Sequence, residues 1–164
     1  MTGRLNLWKV SSAVGWPIQL TQSDERQTGA TWSSDGKWIV FHQDVAGNEV
    51  WNVFAVPSDG GDTINLTNAR DVREESPGWS PDGKSIALNI KPKEGTSYDI
   101  AALDWATRRV TNLTHEKSKS HSWASIAWNP NGKTIYSNRY DASYTDADVY
   151  AGDVAGISPL AHKW

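Results

Sequence analysis

The sequence repeats itself. Trp32-Ser33-Ser34-Asp35-Gly36-Lys37-Trp38-Ile39 is followed by Trp79-Ser80-Pro81-Asp82-Gly83-Lys84-Ser85-Ile86 and by Trp128-Asn129-Pro130-Asn131-Gly132-Lys133-Thr134-Ile135, with the tryptophans 47 and 49 residues apart. A second marker keeps the same period: Gln19-Leu20-Thr21, Asn65-Leu66-Thr67 and Asn112-Leu113-Thr114 are spaced by 46 and 47 residues, and Pro159-Leu160-Ala161 follows 47 later. A third marker is a polar residue opening an apolar run, at Asn6, Asn52, Asp99 and Asp148. Each of the three isoleucines lies 13 residues before such a residue. A fixed period of this length restricts the fold to an array of supersecondary units stacked on one another.

Each unit reads as four strands. Strand A runs up to the tryptophan. Ser-Pro-Asp-Gly is a turn, in which Pro presets φ and Gly takes the φ > 0 position that closes it. Strand B carries the isoleucine, strand C the run Val53–Val56 or Ile100–Leu103, and strand D ends in Leu-Thr. Ser58-Asp59-Gly60-Gly61 is a hairpin signal. In strand B, Ile39 and Phe41 point one way while Trp38 and Val40 point the other. A sheet apolar on both faces is packed on both faces. The period and the strand count predict an all-β protein of four-stranded antiparallel β-propeller blades. The expected division is a half blade at 5–21, with strands C and D only, and blades at 22–67, 68–114 and 115–161. Closed propellers usually have 4–8 blades, so this is an open partial propeller whose exposed ends favour self-association.

Composition adds exclusions. The 164 residues carry a net charge of −3 with a pI near 5.8, and no basic stripe suits nucleic acid. No apolar run approaches the ~20 residues of a membrane-spanning helix. No cysteine is present, which removes disulfides and thiolate metal sites.

The Trp-Ser-Pro-Asp-Gly-Lys-x-Ile signature with its closing Leu-Thr, from about Leu5 to Leu160, resembles the repeat of two families. One is the TolB family. The other is the prolyl oligopeptidase family of serine peptidases, dipeptidyl and acylaminoacyl peptidases included, in its N-terminal propeller. Gly3-Arg4-Leu5-Asn6-Leu7-Trp8 and Lys91–Ile100 resemble bacterial members of the peptidase family. That resemblance implies a gate: the propeller admits short peptides to a separate hydrolase domain, which holds the chemistry and is its partner. The TolB resemblance implies a scaffold that binds other proteins. Both imply an exported setting, periplasmic or secreted. The peptidase chemistry needs Gly-x-Ser-x-Gly followed by Asp and His. The nearest stretch, Gly156-Ile157-Ser158-Pro159-Leu160, lacks the second glycine. No catalytic residue, metal site or cofactor is expected in this chain.

Arg73-Glu74-Glu75 is the candidate peptide-binding site. It is placed in the loop between one strand D and the next strand A, where blade ends gather. Paired glutamates could hold a peptide α-ammonium group, as they do in some dipeptidyl peptidases. There the pair lies on an inserted helix, which is not evident here, and a solvated surface run is the competing reading. Asp35, Asp82 and Asn131 recur at one turn position and are read as caps of turn N–H groups. His42, His115, His121 and His162 lack metal spacing. His42 is expected to bond a strand edge, and His115 and His121 to sit in a polar loop. Trp16, Trp51, Trp105 and Trp123, outside the repeat position, are read as packing residues.

Overall fold

The computed structural model of the chain describes residues 4–154 and 162–163. In chain order their strands are β1 (Trp8–Lys9), β2 (Ile18–Gln19), β3 (Gln27–Trp32), β4 (Trp38–Asp44), β5 (Trp51–Pro57), β6 (Ile64–Asn65), β7 (Val72–Trp79), β8 (Ser85–Pro92), β9 (Asp99–Asp104), β10 (Val110–Asn112), β11 (His121–Trp128), β12 (Thr134–Asp141), β13 (Ala147–Asp153) and β14 (His162–Lys163). Each pairs antiparallel with its sequence neighbour inside one sheet. The result is a β1–β2 pair and three four-stranded sheets, β3–β6, β7–β10 and β11–β14.

The repeated turn builds the same hairpin three times. Ser33, Ser80 and Asn129 each donate their N–H to Trp38, Ser85 and Thr134 carbonyls at 2.8 Å. Gly36, Gly83 and Gly132 follow with φ near +70°, a conformation that suits residues without Cβ. Asp35 Oδ1 accepts from the Ser33 hydroxyl at 2.7 Å and the Lys37 N–H at 3.1 Å. Asp82 does the same with Ser80 and Lys84 at 2.7 and 3.1 Å, and Asn131 Oδ1 accepts from the Lys133 N–H at 2.8 Å. These acceptors are turn caps. The bonds, that of the preceding serine first, hold both aspartates below the usual carboxylate range.

The Leu-Thr pair closes the β1–β2 pair and the sheets β3–β6 and β7–β10. Leu20, Leu66 and Leu113 donate N–H to the carbonyls of Leu7, Val53 and Ile100 at 2.9, 2.8 and 2.8 Å. In return Leu7, Val53 and Ile100 donate N–H to the hydroxyls of Thr21, Thr67 and Thr114 at 2.9, 3.2 and 2.8 Å. The third marker then fastens the crossover to the next sheet. Asn6 Oδ1 accepts from the Ser23 N–H at 2.7 Å, Asn52 Nδ2 donates to the Ala69 carbonyl at 2.9 Å, and Asp99 Oδ1 accepts from the Glu116 N–H at 2.7 Å.

Fastened in this way, the first strand of each sheet lies across the face of the sheet before. β7 packs on β3, β4 and β5, and β11 on β7, β8 and β9. Alternation then divides each strand between two neighbours. Val40, Val53 and Ala55 meet Ile86, Leu88, Ala101 and Leu103 in one core layer. Ala87, Ile100 and Ala102, from the other side of the same strands, meet Trp123 and Ile135 in the next. Leu20, Ile39, Phe41 and Val56 form a layer under β1–β2. Most of these side chains are fully buried, each worth roughly 1.5–3 kcal/mol. Trp51 and Trp123 are buried, and Trp105 lies against Trp38 and Trp79 with ring centroids at 5.3 and 4.9 Å. Trp16 is a correction: it is 92% exposed, in the β1–β2 connection where no sheet reaches it.

Removing a latch should cost measurable stability. Thr114→Val would leave the buried Ile100 N–H without an acceptor and should destabilise by about 1–3 kcal/mol in urea unfolding. Thr114→Ser, which keeps the hydroxyl, should lose much less.

Candidate functional site

Arg73, Glu74 and Glu75 lie within strand β7, not in a loop. They pair with Lys91, Ile90 and Asn89 of β8. The sequence misleads because Pro77 follows, and proline removes a ladder donor. The ladder is interrupted there by a bulge between Glu75 and Gly78. The same bulge falls between Thr28 and Thr31 in β3 and between Ala124 and Ala127 in β11. Gly29 with φ +67° and Ser76 with φ +52° occupy it in the first two sheets.

Being in a strand separates the three candidates. Arg73 and Glu75 share one side, where Arg73 Nη2 meets Glu75 Oε1 at 2.7 Å. The Tyr98 hydroxyl donates to Glu75 Oε2 at 2.7 Å. The Arg73 and Arg26 guanidiniums lie 5.7 and 5.6 Å from the Trp51 ring centroid, within cation–π range. His42 stands edge-on to Trp51 at 5.1 Å and bonds the Thr28 hydroxyl through Nε2 at 2.7 Å. These residues form a half-buried polar and aromatic cluster between the sheets β3–β6 and β7–β10. Burial would raise the Glu75 pKa, but the Tyr98 and Arg73 hydrogen bonds together hold it below its ordinary value. Burial raises Tyr98, and its bond to Glu75 adds to this. Burial lowers His42, with Glu75 opposing. At neutral pH the cluster therefore presents an ionised, hydrogen-bonded carboxylate, a paired guanidinium and a neutral imidazole.

Glu74 points the other way, into the preceding sheet. It is 3% exposed, and its Oε2 has no hydrogen-bond partner. Burial pushes its pKa up to about 7, opposed by the Thr67 hydroxyl and the Val53 N–H. Glu74 therefore does not join Glu75 in a paired-carboxylate site.

The remaining sequence candidates are mostly structural. His121 opens β11 rather than lying in a loop, and its Nδ1 meets the Ser118 and Ser120 hydroxyls at 3.2 and 3.1 Å. Among the described residues no group of three or more His, Asp or Glu could hold a metal ion. Gly156–Leu160, the Pro159-Leu160-Ala161 marker and the His162 side chain lie outside what the structure describes. Sequence reading did not single out His42, Trp51 and Tyr98 as functional. The signal was present: Trp51 and Tyr98 stand 47 residues apart, one repeat period.

No family model matches the chain. Over 94 residues it is 31% identical to the uncharacterized peptidase YuxL of Bacillus subtilis, across 57% of this chain and 14% of that protein. Over 97 residues it is 29% identical to the Tol-Pal system protein TolB of Francisella tularensis, across 59% of this chain and 22% of that one. A TolB structure from Agrobacterium tumefaciens superimposes with a TM-score of 0.71 at 22% identity, covering 94% of this chain and 55% of that one. A prolyl endopeptidase superimposes equally, with a TM-score of 0.71 at 16% identity over 93% of this chain and 25% of the other. These superpositions identify β-propeller blades. The three four-stranded sheets are blades, and with the β1–β2 pair they make an open partial propeller. The chain spans only 14% to 22% of the length of these curated relatives.

Glu74 should leave a signature in stability against pH. The unfolded group titrates near 4.5 and the folded one near 7, so between these the folded state holds more protons. The stability contributed by the neutral carboxyl is complete below pH 4.5 and is lost as pH rises to about 7, about 3 kcal/mol in all. Glu74→Gln should match the wild type near pH 4.5 and exceed it by up to that amount at pH 8, measured by chemical denaturation at both pH values.

Proposed function

We propose that this chain is a non-catalytic β-propeller module that gates the access of short peptides to a hydrolase domain outside it. It comprises a half blade at 5–21 and blades at 22–67, 68–114 and 115–161. The observation that carries the reading is the match to a bacterial peptidase at 31% identity along more than half of the chain. The half-buried Arg73–Glu75–Tyr98 cluster supports it as a docking point for peptide backbone and termini.

A second reading rests on an equal footing. TolB matches over a similar stretch at 29% identity, and the A. tumefaciens TolB shares the larger fraction of its own length. In that reading the module is a scaffold for a folded protein partner, and the exposed apolar residues of the β1–β2 end, Trp8, Val10 and Ile18, favour association.

The two separate on small ligands. Under the gate reading, calorimetric titration with tri- to pentapeptides should show binding that weakens about tenfold or more in Glu75→Gln and Arg73→Ala, the usual scale for losing a charge-assisted bond. No turnover of chromogenic dipeptide substrates is expected. Absence of peptide binding would favour the scaffold, and turnover surviving repurification would remove both readings.

A further inference from the structure

Glu74 lines a cleft of about 350 Å³ between the first two full blades, together with Thr67, Val72, Ile90, Pro92 and Val110. That is the volume range of small-ligand sites. Its lining combines an apolar side, Val72, Ile90, Pro92 and Val110, with the polar side chains of Thr67, Asp99 and Asn112. The lining residue Glu74 carries a carboxyl removed from water, with one oxygen, Oε2, left unpartnered. Among the described residues no lysine or arginine lines the cleft. The other ionisable lining residue is Asp99, whose Oδ1 is occupied by the Thr114 hydroxyl and the Glu116 N–H at 2.7 Å each. The influences on Glu74 are its burial, Thr67 and Val53, none of them a cation. A buried carboxyl without a countercharge is costly unless it is neutral or is met by one.

We propose that this cleft binds the side-chain ammonium of a lysine presented by a polypeptide, with the methylene stem along Val72, Ile90, Pro92 and Val110 and the Glu74 carboxyl turning toward the cleft to meet the ammonium. Lysine fits the inventory better than other cations do. Arginine's planar fork is matched by two carboxylate oxygens together, and here one is free. Calcium takes 6–8 oxygen ligands, which this lining does not offer. A peptide α-ammonium would bring its amide groups against the apolar side. A lysine stem buries apolar length and ends in a compact charge. The site is independent of both the gate and the scaffold readings, because Glu74 faces away from Arg73 and Glu75.

Occupation is coupled to a proton. Near neutral pH the empty cleft holds Glu74 partly protonated, and the arriving ammonium ionises it, so a proton leaves to buffer. With a free-state pKa of about 7, apparent affinity should rise about tenfold from pH 6 to pH 8 and then level off.

The test is calorimetric titration of the whole chain with Nα-acetyl-lysine-N-methylamide, in two buffers of different ionisation enthalpy at pH 6 and pH 8. The neutral isostere Nα-acetyl-norleucine-N-methylamide serves as control. The expected result is saturable lysine binding, proton release that is larger at pH 6, and at least tenfold weaker binding of the norleucine compound. Glu74→Gln should erase the lysine preference, while Glu75→Gln should leave it intact. Equal binding of the two compounds would reduce the site to an apolar cleft and overturn the proposal. So would no binding of either, which would mean that water fills the cleft, or loss in Glu75→Gln but not in Glu74→Gln. Because Glu75→Gln is the variant that weakens short peptides under the gate reading, the two failures are distinguishable.

Discussion

One backbone N–H in the third strand of a unit donates to a threonine hydroxyl, and the geometry of the array depends on it. Leu7, Val53 and Ile100 make this bond to Thr21, Thr67 and Thr114. The hydroxyl stands where a longer fourth strand would place a carbonyl, so the fourth strand stops after two or three residues and the chain turns inward. Two residues after the threonine, the crossover is held by the Asn or Asp that precedes the latch N–H. The following first strand is then delivered across the face just completed. The core layers are a consequence: alternating side chains of one sheet can be apolar on both sides only because a neighbour is brought to each.

The latch explains why so much of the fold was legible. Tryptophan, turn, Leu-Thr and the polar residue at the start of the third strand each do one geometric task per unit, so they recur at the period of the unit. The two-faced strand B was readable from Trp38–Phe41 alone, and the structure sends Val40 and Phe41 to different layers. Trp16 was misread because a residue type says nothing of whether a neighbour arrives. Arg73–Glu75 was misread for a different reason. Charge and a nearby proline suggest a loop, but a bulge absorbs the proline without ending the strand.

The polar cluster was the least legible part. Its positions repeat while its residues do not. Thr28 and Glu75 are equivalent, as are His42 and Asn89, and Trp51 and Tyr98. In the first full blade the set is a hydroxyl, an imidazole and an indole, and in the next it is a carboxylate, an amide and a phenol. A search for repeated residues passes over such places. Alignment by register finds them, since a position that keeps its place in the ladder while its chemistry changes is released from the task of holding the unit together.

The short reach of the latches has a kinetic consequence. Each threonine lies 14 residues after the N–H that it receives, and each crossover bond spans 17 residues. Closing so short a loop sacrifices little chain entropy, which grows only with the logarithm of length. During synthesis, a unit can lock once its crossover has left the ribosome, before the next first strand exists. The nascent chain then meets the face of a finished sheet at each step, and the order of assembly follows the order of translation.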